Sequence, residues 1–512
     1  MEYLLRFGVF RHFSVNYMWP CIHRPTFEDQ YKELCKQMRL NTKQFTTDQL
    51  STLALYATCL AVGFHFLQDE GYQDLNMNEQ QALEMGATCW RVSYQALEAA
   101  DWMQVNDVRS CQTVIISGLY LSGVRRANQH WNLLGIATKI AMALGLAQIP
   151  DEGKIIASGS AEKVAPRWRS AIQREVGRRV WYCLLELDWL FAMEHDYLYI
   201  ISPEINQTSE PANIEDVDLK DDGLVFSRPT ATHTGMTHFL QRLRILYPLQ
   251  GVVTNVKRAG RMHYRFITRA HEELQRAIAE RPLFYKQTDG LDSITDAVQL
   301  NQIKREAQGL NEATDLRTMR IHRFYFPASC ENNWYSLTKD TCLDITRRTL
   351  KDLSTQTAPT VTNPHLWARI YFIFTATVVV IIYLYHAPPY EVDEFTKLAE
   401  IGIAWLASTG KRSIELGDSS ETLRALLSIQ LDRRVRAREE GGQMGQLFPQ
   451  EWINNAGWAD FMPLDFDGLR DSNVPDVNVP VGPAVTDEQN MAFLLDSLFK
   501  DLSNYDPSFP ST

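Results

Sequence analysis

The sequence predicts an all-α fold: a single large multi-helix domain followed by a disordered acidic tail. Through the first 440 residues, apolar side chains recur at i, i+3, i+4 and i+7, the spacing of one helical face. Segments with the strict alternation of a β-strand are few. Glycine and proline are not concentrated within this stretch, so no linker is predicted in it. Seven prolines after residue 441 preclude a continued packed helix there.

Composition and charge exclude several classes of protein. With 45% hydrophobic and 22% charged residues among 512, the chain is neither wholly disordered, collagen-like nor a small disulfide scaffold. The net charge is −11, and residues 443–512 hold eleven acidic residues against two basic ones, a net of −9. The rest of the chain is therefore near neutral. Such a body does not bind nucleic acid by bulk charge, and we expect no sequence-specific duplex binding by these 512 residues alone.

The periodicity predicts helices along the whole body. They cover residues 48–66, 79–99, 105–121, 128–146, 174–193, 236–279, 291–308, 336–354, 364–385, 391–408 and 421–438. In the fourth of these, Asn128 is a suitable N-cap and Gly145 a suitable end signal. The fifth is apolar nearly all round in its second half, which predicts a central position. The side chains expected to be buried are Leu134, Leu144, Trp181 and Leu185.

One run of residues has the hydrophobicity of a membrane span. Residues 370–385 are sixteen residues without a charge, including two threonines and three tyrosines. A helix needs about 20 apolar residues to cross the hydrocarbon core. We therefore predict a buried central helix and no membrane insertion.

Signatures of catalysis and metal binding are absent from the sequence. No two of the eight cysteines are closer than twelve positions, which excludes a CxxC pair, and the twelve histidines are scattered. The motifs GxGxxG, GxxxxGK[ST], HExxH and GxSxG do not occur. The acidic stretch that begins at Asp216 has Asp221 and Ser227 where a calcium loop has its glycine and its last glutamate, which indicates a solvated loop. We predict no catalytic residue, no metal ligand and no enzyme activity, with an unrecognised all-α active site as the remaining alternative.

Three ordered motifs carry more information. They read WPCIHRPTFEDQY at 19–31, HWNLLGIATKIAMALGLAQIPDE at 130–152 and REVGRRVWYCLLELDWLFA at 174–192. This series resembles the regulatory domain of fungal zinc-cluster transcription factors, the middle homology or xylanolytic-activator-type domain. The resemblance runs over about three quarters of the chain and implies an all-α regulatory domain. Its signature positions are His23, Arg24, Pro25, Trp131, Gly135, Gly145, Glu175, Arg178, Arg179, Trp181 and Asp188.

The residues of the third motif have physical roles of their own. Glu175 and Arg179 are spaced i, i+4 with the acid first, the orientation that favours an ion pair. Arg178 and Arg179 are expected at the polar start of their helix, before it enters the core at Trp181. Asp188 has no basic residue one turn away, so it must find a distant partner, be protonated or face a cavity. Two interpretations stay open: a buried ion pair that organises the domain, or an effector pocket lined by this helix.

The resemblance also implies cofactors and partners. Zinc and DNA binding in that family belong to a six-cysteine cluster, which these residues do not contain. We expect no cofactor in this chain, and zinc only in a cysteine cluster encoded upstream. Promoter DNA would be contacted through that cluster or a partner protein. The other expected partners are a coactivator or further transcription factors in the nucleus, with a small-molecule effector and a homodimer left open.

The acidic tail has a separate pattern. Between residues 443 and 512, nine aromatic residues alternate with the acids, a composition typical of transcriptional activation segments. Thr486 and Gln489 form a capping-box signature that predicts a short helix. Its activation-like side chains are Phe493, Leu494, Leu495, Leu498 and Phe499. The alternative is that this helix docks back onto its own domain.

We interpret the sequence as a fungal regulator of transcription by RNA polymerase II. Residues 1–440 are expected to form the all-α regulatory domain, and residues 441–512 the activation-like tail. The alternative within the same class is a cofactor or repressor partner that lacks a zinc cluster and acts through other factors.

Overall fold

A computed structural model describes residues 18–39, 45–67, 69–124, 126–158, 165–193, 195, 197–221, 223–286, 296–355, 366–409 and 414–439. Within these ranges the regular elements are α-helices and short 3-10 helices, without a strand. The all-α prediction is confirmed. The helices form two compact units, a division that the sequence does not predict. Unit 1 comprises the described residues within 18–191 and 198–240, and unit 2 those within 192–197 and 241–439. The predicted boundary at residue 440 lies outside the described residues.

Unit 1 contains the helices of the first two hundred residues. They are α1 (Arg24–Arg39), α2 (Thr47–His65), α3 (Asp69–Asp74), α4 (Glu79–Ala99), α5 (Val108–Gly123), α6 (Ala127–Ala143), α7 (Glu152–Ser158) and α8 (Ala171–Ala192). Helix α2 is buried at every residue from Leu50 to His65 and packs against α4 and α5. A helix that is buried on all sides is a core helix. Thr46 begins it with a capping box to Gln49.

Helix α6 has the predicted signal at its C-terminal end but not the one predicted at its N-terminal end. Gly145 follows it with φ +76°, the left-handed conformation that glycine adopts most readily, as predicted. The N-cap prediction is wrong: α6 begins after Arg126, without a side-chain cap, and Asn128 lies inside the first turn. Leu134 is buried, but Leu144 is only half-buried because it is the C-cap residue, where the helix ends. Trp181 and Leu185 of α8 are both fully buried, as predicted.

Unit 2 contains the remaining helices. They are α9 (Thr237–Ala259, whose first residues belong to unit 1), α10 (Tyr264–Ala279), α11 (Leu283–Lys286), α12 (Ala297–His322), α13 (Phe326–Glu331), α14 (Ser336–Thr355), α15 (Trp367–His386), α16 (Val392–Thr409) and α17 (Ile414–Glu439). Helix α15 packs against α14, α16 and α17. Its buried aliphatic and aromatic side chains, among them Phe372, Val380 and Leu384, form the centre of the core of unit 2.

Helix α15 is the predicted apolar helix. With 20 residues, it is long and apolar enough to cross a membrane by length and composition, so the length argument from the sequence was wrong. The helix begins three residues earlier than the uncharged run because Arg369 is tolerated inside it, paired with Glu312 at 2.5 Å. Its most apolar window is 78% buried inside the protein. Burial supports its assignment as a core helix.

Candidate functional site

The first half of α8 turns four charged side chains inward. Arg174, Glu175, Arg178 and Arg179 are each at most 3% exposed. Residues three and four apart share one face of a helix, so these four form a single charged stripe. The sequence predicts Arg178 and Arg179 at the polar start of their helix, whereas the structure buries both. Buried charges must be paired, and their partners define the site.

Glu175 lies at the centre of this stripe and is fully buried. Its Oε1 accepts from Arg179 Nε at 3.2 Å and from the backbone N–H of Ala212 at 3.1 Å. Its Oε2 accepts from Arg178 Nη1 at 3.4 Å. Burial raises the pKa of Glu175, and the two guanidiniums oppose that rise. The i, i+4 pair predicted between Glu175 and Arg179 is therefore present, and it is buried.

Asp216 joins α8 to the first motif. Arg179 Nη1 donates to Asp216 Oδ1 at 2.6 Å, and the backbone N–H of Arg24 donates to Oδ2 at 2.8 Å. The ring of His23 is hydrogen-bonded through Nε2 to the Asp216 carbonyl at 3.0 Å and through Nδ1 to Thr26 Oγ1 at 2.8 Å. Burial alone would raise the pKa of Asp216, but Arg179 and the Arg24 N–H lower it below its ordinary value. One carboxylate thus binds two segments that are distant in sequence.

Glu152 receives the other end of the stripe. Arg174 donates to both of its oxygens, from Nε at 3.2 Å and Nη2 at 3.1 Å, and Arg178 Nη2 donates to Oε1 at 2.9 Å. Arg174 also donates to the carbonyls of Trp168 and Arg169, at 2.9 and 2.8 Å. Burial would raise the pKa of Glu152, but the two guanidiniums lower it. The network therefore holds three guanidiniums and three carboxylates, which balance in charge.

The second half of α8 holds the loop that follows it. Trp181 Nε1 donates to Asn206 Oδ1 at 2.9 Å, and Asp188 accepts from the backbone N–H groups of Ile200 (2.9 and 3.1 Å) and Ile201 (2.7 Å). Burial raises the pKa of Asp188, and these N–H donors oppose the rise. Among the described contacts, the distant partners of Asp188 are these backbone N–H groups. A role of Asp188 in an ion pair or in an effector pocket stays a prediction.

The remaining signature residues lie outside the ion network. Pro25 is in the first turn of α1. Trp131 is 40% exposed on α6. Gly135 faces Ile200, where an added Cβ would lie 3.8 Å from Cδ1. Gly145 ends α6 and lies beside Arg167. The two glycines therefore leave space beside α6 for Ile200 and Arg167.

Three members of the network were missed from the sequence. Arg174 and Glu152 lie in the quoted motifs but were not selected, because neither spacing nor charge sign indicates which surface residue turns inward. Asp216 was assigned to a solvated acidic loop, and this is wrong because Arg179 binds its side chain, which is only 23% exposed. The single signal was that this loop is acidic and that α8 carries three arginines within six residues.

The other site predictions concern metal binding and the activation-like residues of the tail. Over the described ranges, no group of three or more His, Cys, Asp and Glu side chains could hold a metal ion. The activation-like residues Phe493, Leu494, Leu495, Leu498 and Phe499 lie outside the described residues.

Comparison with known proteins finds a family model that matches more than half of the chain. A family model described as the fungal specific transcription factor domain matches residues 10–294. The probable transcription factor lepB of Aspergillus flavus is 22% identical over 236 residues, 45% of this chain and 40% of the relative. The agnestins biosynthesis cluster transcription factor AgnL11 of Paecilomyces divaricatus is 22% identical over 382 residues, 70% of this chain and 52% of the relative.

A third relative is the Zn(2)-C6 fungal-type transcription factor mpsB of Macrophomina phaseolina. It is 23% identical over 238 residues, which are 43% of this chain and 28% of the relative. The chain therefore spans about half of the length of these curated relatives, or less.

Proposed function

The chain belongs to the fungal specific transcription factor domain family, and from this premise we propose that it regulates transcription by RNA polymerase II in the nucleus. The helical residues act as a regulatory domain, and residues 443–512 act as an acidic activation segment. Each of the three curated relatives carries the name of a transcription factor. The net charge of −9 and nine aromatic residues of the tail support the second role.

The ion network is the observation that carries the proposal. Residues from two separate signature motifs, His23 and Arg24 in one and Arg179 in the other, meet on Asp216 inside the range that matches the family. Their charged groups neutralise one another, which suits a structural role better than a nucleophile or a general base. We assign the network the role of holding the N-terminal motif and the 212–223 loop on α8, which gives the regulatory domain one defined arrangement.

Zinc and DNA enter the proposal through the family. The name of one relative specifies the Zn(2)-C6 type. We propose that promoter DNA is contacted by such a cysteine cluster, or by a partner protein, and that these 512 residues supply regulation and activation. A coactivator is the proposed partner of the tail, because a sequence of aromatic and leucine residues among acids suits an apolar groove with a basic rim.

The test is a reporter assay with the full 512-residue chain fused to an unrelated DNA-binding domain. We expect transcription above that of the DNA-binding domain alone. Replacing Leu495, Leu498 and Phe499 with alanine should abolish the increase, because these side chains supply the apolar contact. The matched control replaces Asp496 and Asp501 with asparagine and should weaken it less, because charge mainly speeds the encounter.

The opposite results are informative. A fusion that leaves the reporter at its basal level would contradict the activator proposal. A fusion that lowers the reporter below the DNA-binding domain alone would favour the alternative, a repressor partner of other factors. Equal activity of the alanine variant and the unmodified fusion would remove the tail helix from the mechanism.

A further inference from the structure

The junction of α9 and α10 forms a strongly basic surface in unit 2. Residues 257–269 contain five lysines and arginines and no acid, and the whole sequence from 223 to 271 has no Asp or Glu. Arg258, Arg261 and Arg265 are exposed. In the described part of the chain, none of these three pairs with a carboxylate. Gly260, with φ +67°, makes the tight turn between them.

An aromatic cluster borders this basic surface. The rings of Tyr264, Tyr325 and Tyr335 pack with centroids 4.7–5.1 Å apart. Tyr325 OH donates to the Met262 carbonyl at 3.4 Å, which places the cluster beside the basic turn. Trp334, next to Tyr335, is 79% exposed. We call Arg258, Arg261, Arg265, Trp334 and Tyr335 the basic-aromatic face.

The last described helix ends close to this face. Arg434 of α17 donates to the carbonyls of Leu384 and Tyr385, at 2.8 and 3.3 Å. Helix α13, which ends at Glu331, packs against α15, and so does α17. Glu331 is three residues before Trp334. The C-terminal part of α17 and the basic-aromatic face are thus on neighbouring parts of unit 2.

The chain that follows α17 has the complementary chemistry. Residues 447–467 contain four acids, five aromatic residues and no Lys or Arg. From Glu439, the last residue of α17, to Trp452 the chain can extend by at most about 45 Å. The segment is thus tethered to the unit that carries the face. Because the segment is covalently attached, its effective concentration at the face can reach the millimolar range.

We propose that the basic-aromatic face is the docking surface for the acidic segment 447–467 of the same chain. Its carboxylates pair with the three arginines, and its aromatic side chains pack against Trp334 and the tyrosines. The inference rests on the proposed function, in which the tail is the activating part: while this segment is docked, the start of the tail is withheld from a coactivator.

The test is photo-crosslinking in the full chain, with benzoylphenylalanine in place of Trp334 and mapping by mass spectrometry. We expect crosslinks within one chain, to residues 447–467. The triple variant Arg258→Glu, Arg261→Glu and Arg265→Glu should lower their yield about tenfold, the order of effect that several exposed ion pairs have together. The matched control, Arg91→Glu, Lys139→Glu and Lys304→Glu, changes the net charge equally at exposed sites and should leave the yield unchanged.

A charge swap completes the test. Replacing Glu451, Asp460, Asp465 and Asp467 with arginine should also lower the crosslink yield at least as strongly as the triple variant does, and combining this change with the triple variant should restore the yield. Crosslinks to a second copy, to residues outside 447–467 or to none would overturn the proposal. The crosslink is read without a promoter, so a reporter that stays silent in the triple variant, which releases the segment, would reject the activator function and leave the docking surface standing.

Discussion

The central helices of the two units are held by different physics. In unit 1, α8 buries four charged residues, and each is fixed by partners at 2.6–3.4 Å. In unit 2, α15 buries aliphatic and aromatic side chains such as Phe372, Val380 and Leu384. Apolar burial depends on area and volume and has no required direction. Ion pairs require one geometry, so α8 specifies which segments lie beside it, whereas α15, which has one such pair at Arg369, mainly requires that its surroundings be filled.

The contrast also shows that the residues that identify the family are not the ones that fill the largest apolar core. The positions that identify the family on α8 are the ones that bind the N-terminal motif and the 212–223 loop, through Asp216 and Ala212. The long apolar helix carries no comparable signature, because many apolar sequences fill a core equally well. Directional contacts leave a pattern in the sequence that can be recognised, and volume filling leaves only a composition.

The largest loss of stability is expected when the ion network of α8 is disrupted. Arg179→Ala removes one guanidinium from two buried or half-buried carboxylates, and unit 1 should lose about 3–5 kcal/mol because uncompensated charge remains in the interior. Hydrogen exchange of α8 peptides, followed by mass spectrometry across a denaturant series, measures this loss for unit 1 by itself. The control is Arg24→Ala, which removes an exposed pair with Glu28 and leaves the backbone N–H on Asp216, with an expected cost below about 0.5 kcal/mol. Equal costs for both variants would mean that the network is not specially stabilising.

The second largest loss of stability is expected from a cavity beside α15. Leu384 is 1% exposed, and Leu384→Ala should cost unit 2 about 2–4 kcal/mol through lost burial and a residual void. The same exchange measurement on α15 peptides tests it. No change in those peptides would show that α15 is not the core of its unit.

Conservative replacements in the two helices test the difference between directional ion pairs and volume filling. Leu384→Met keeps volume and should cost less than about 1.5 kcal/mol. Arg179→Lys keeps charge but cannot reach Glu175 and Asp216 together, so we expect about 2 kcal/mol. Denaturant midpoints of the two variants give the comparison. The reverse order would contradict the view that α8 is held by geometry and α15 by volume.

The smallest expected effect is a loss of stability of unit 2 at acidic pH. His322 in unit 2 is fully buried between His271 and Thr338, at 3.0 and 2.8 Å. Burial, with help from His271, lowers the pKa of His322 to about 3. Because the unfolded chain then binds the proton more tightly, the contribution is fully present above about pH 6.5 and is lost as the pH falls toward 3.

Between about pH 7.5 and about pH 5.5, His322 should therefore cost unit 2 about 1 kcal/mol. The urea midpoint of α12 peptides at the two pH values measures this, and His322→Gln should reduce the dependence. A midpoint equally sensitive to pH in that variant would assign the effect to another group.

The sequence alone determined the helical class and the ordered motifs, because helix periodicity and an i, i+4 pair are local properties. The burial of Trp181 and Leu185 and the end of α6 at Gly145 followed from the same local rules. Most helix positions were also predicted from it.

Only the tertiary structure decided which charges turn inward. Asp216 looked like a solvated loop residue until Arg179 and the Arg24 N–H were seen to bind it, and Glu152 had no local partner to indicate its role. The division into two units and the proximity of Tyr325 to the basic turn at Met262 are likewise contacts between distant residues. Such contacts depend on how helices pack, and the pattern of one helix does not encode the neighbour that will neutralise its charge.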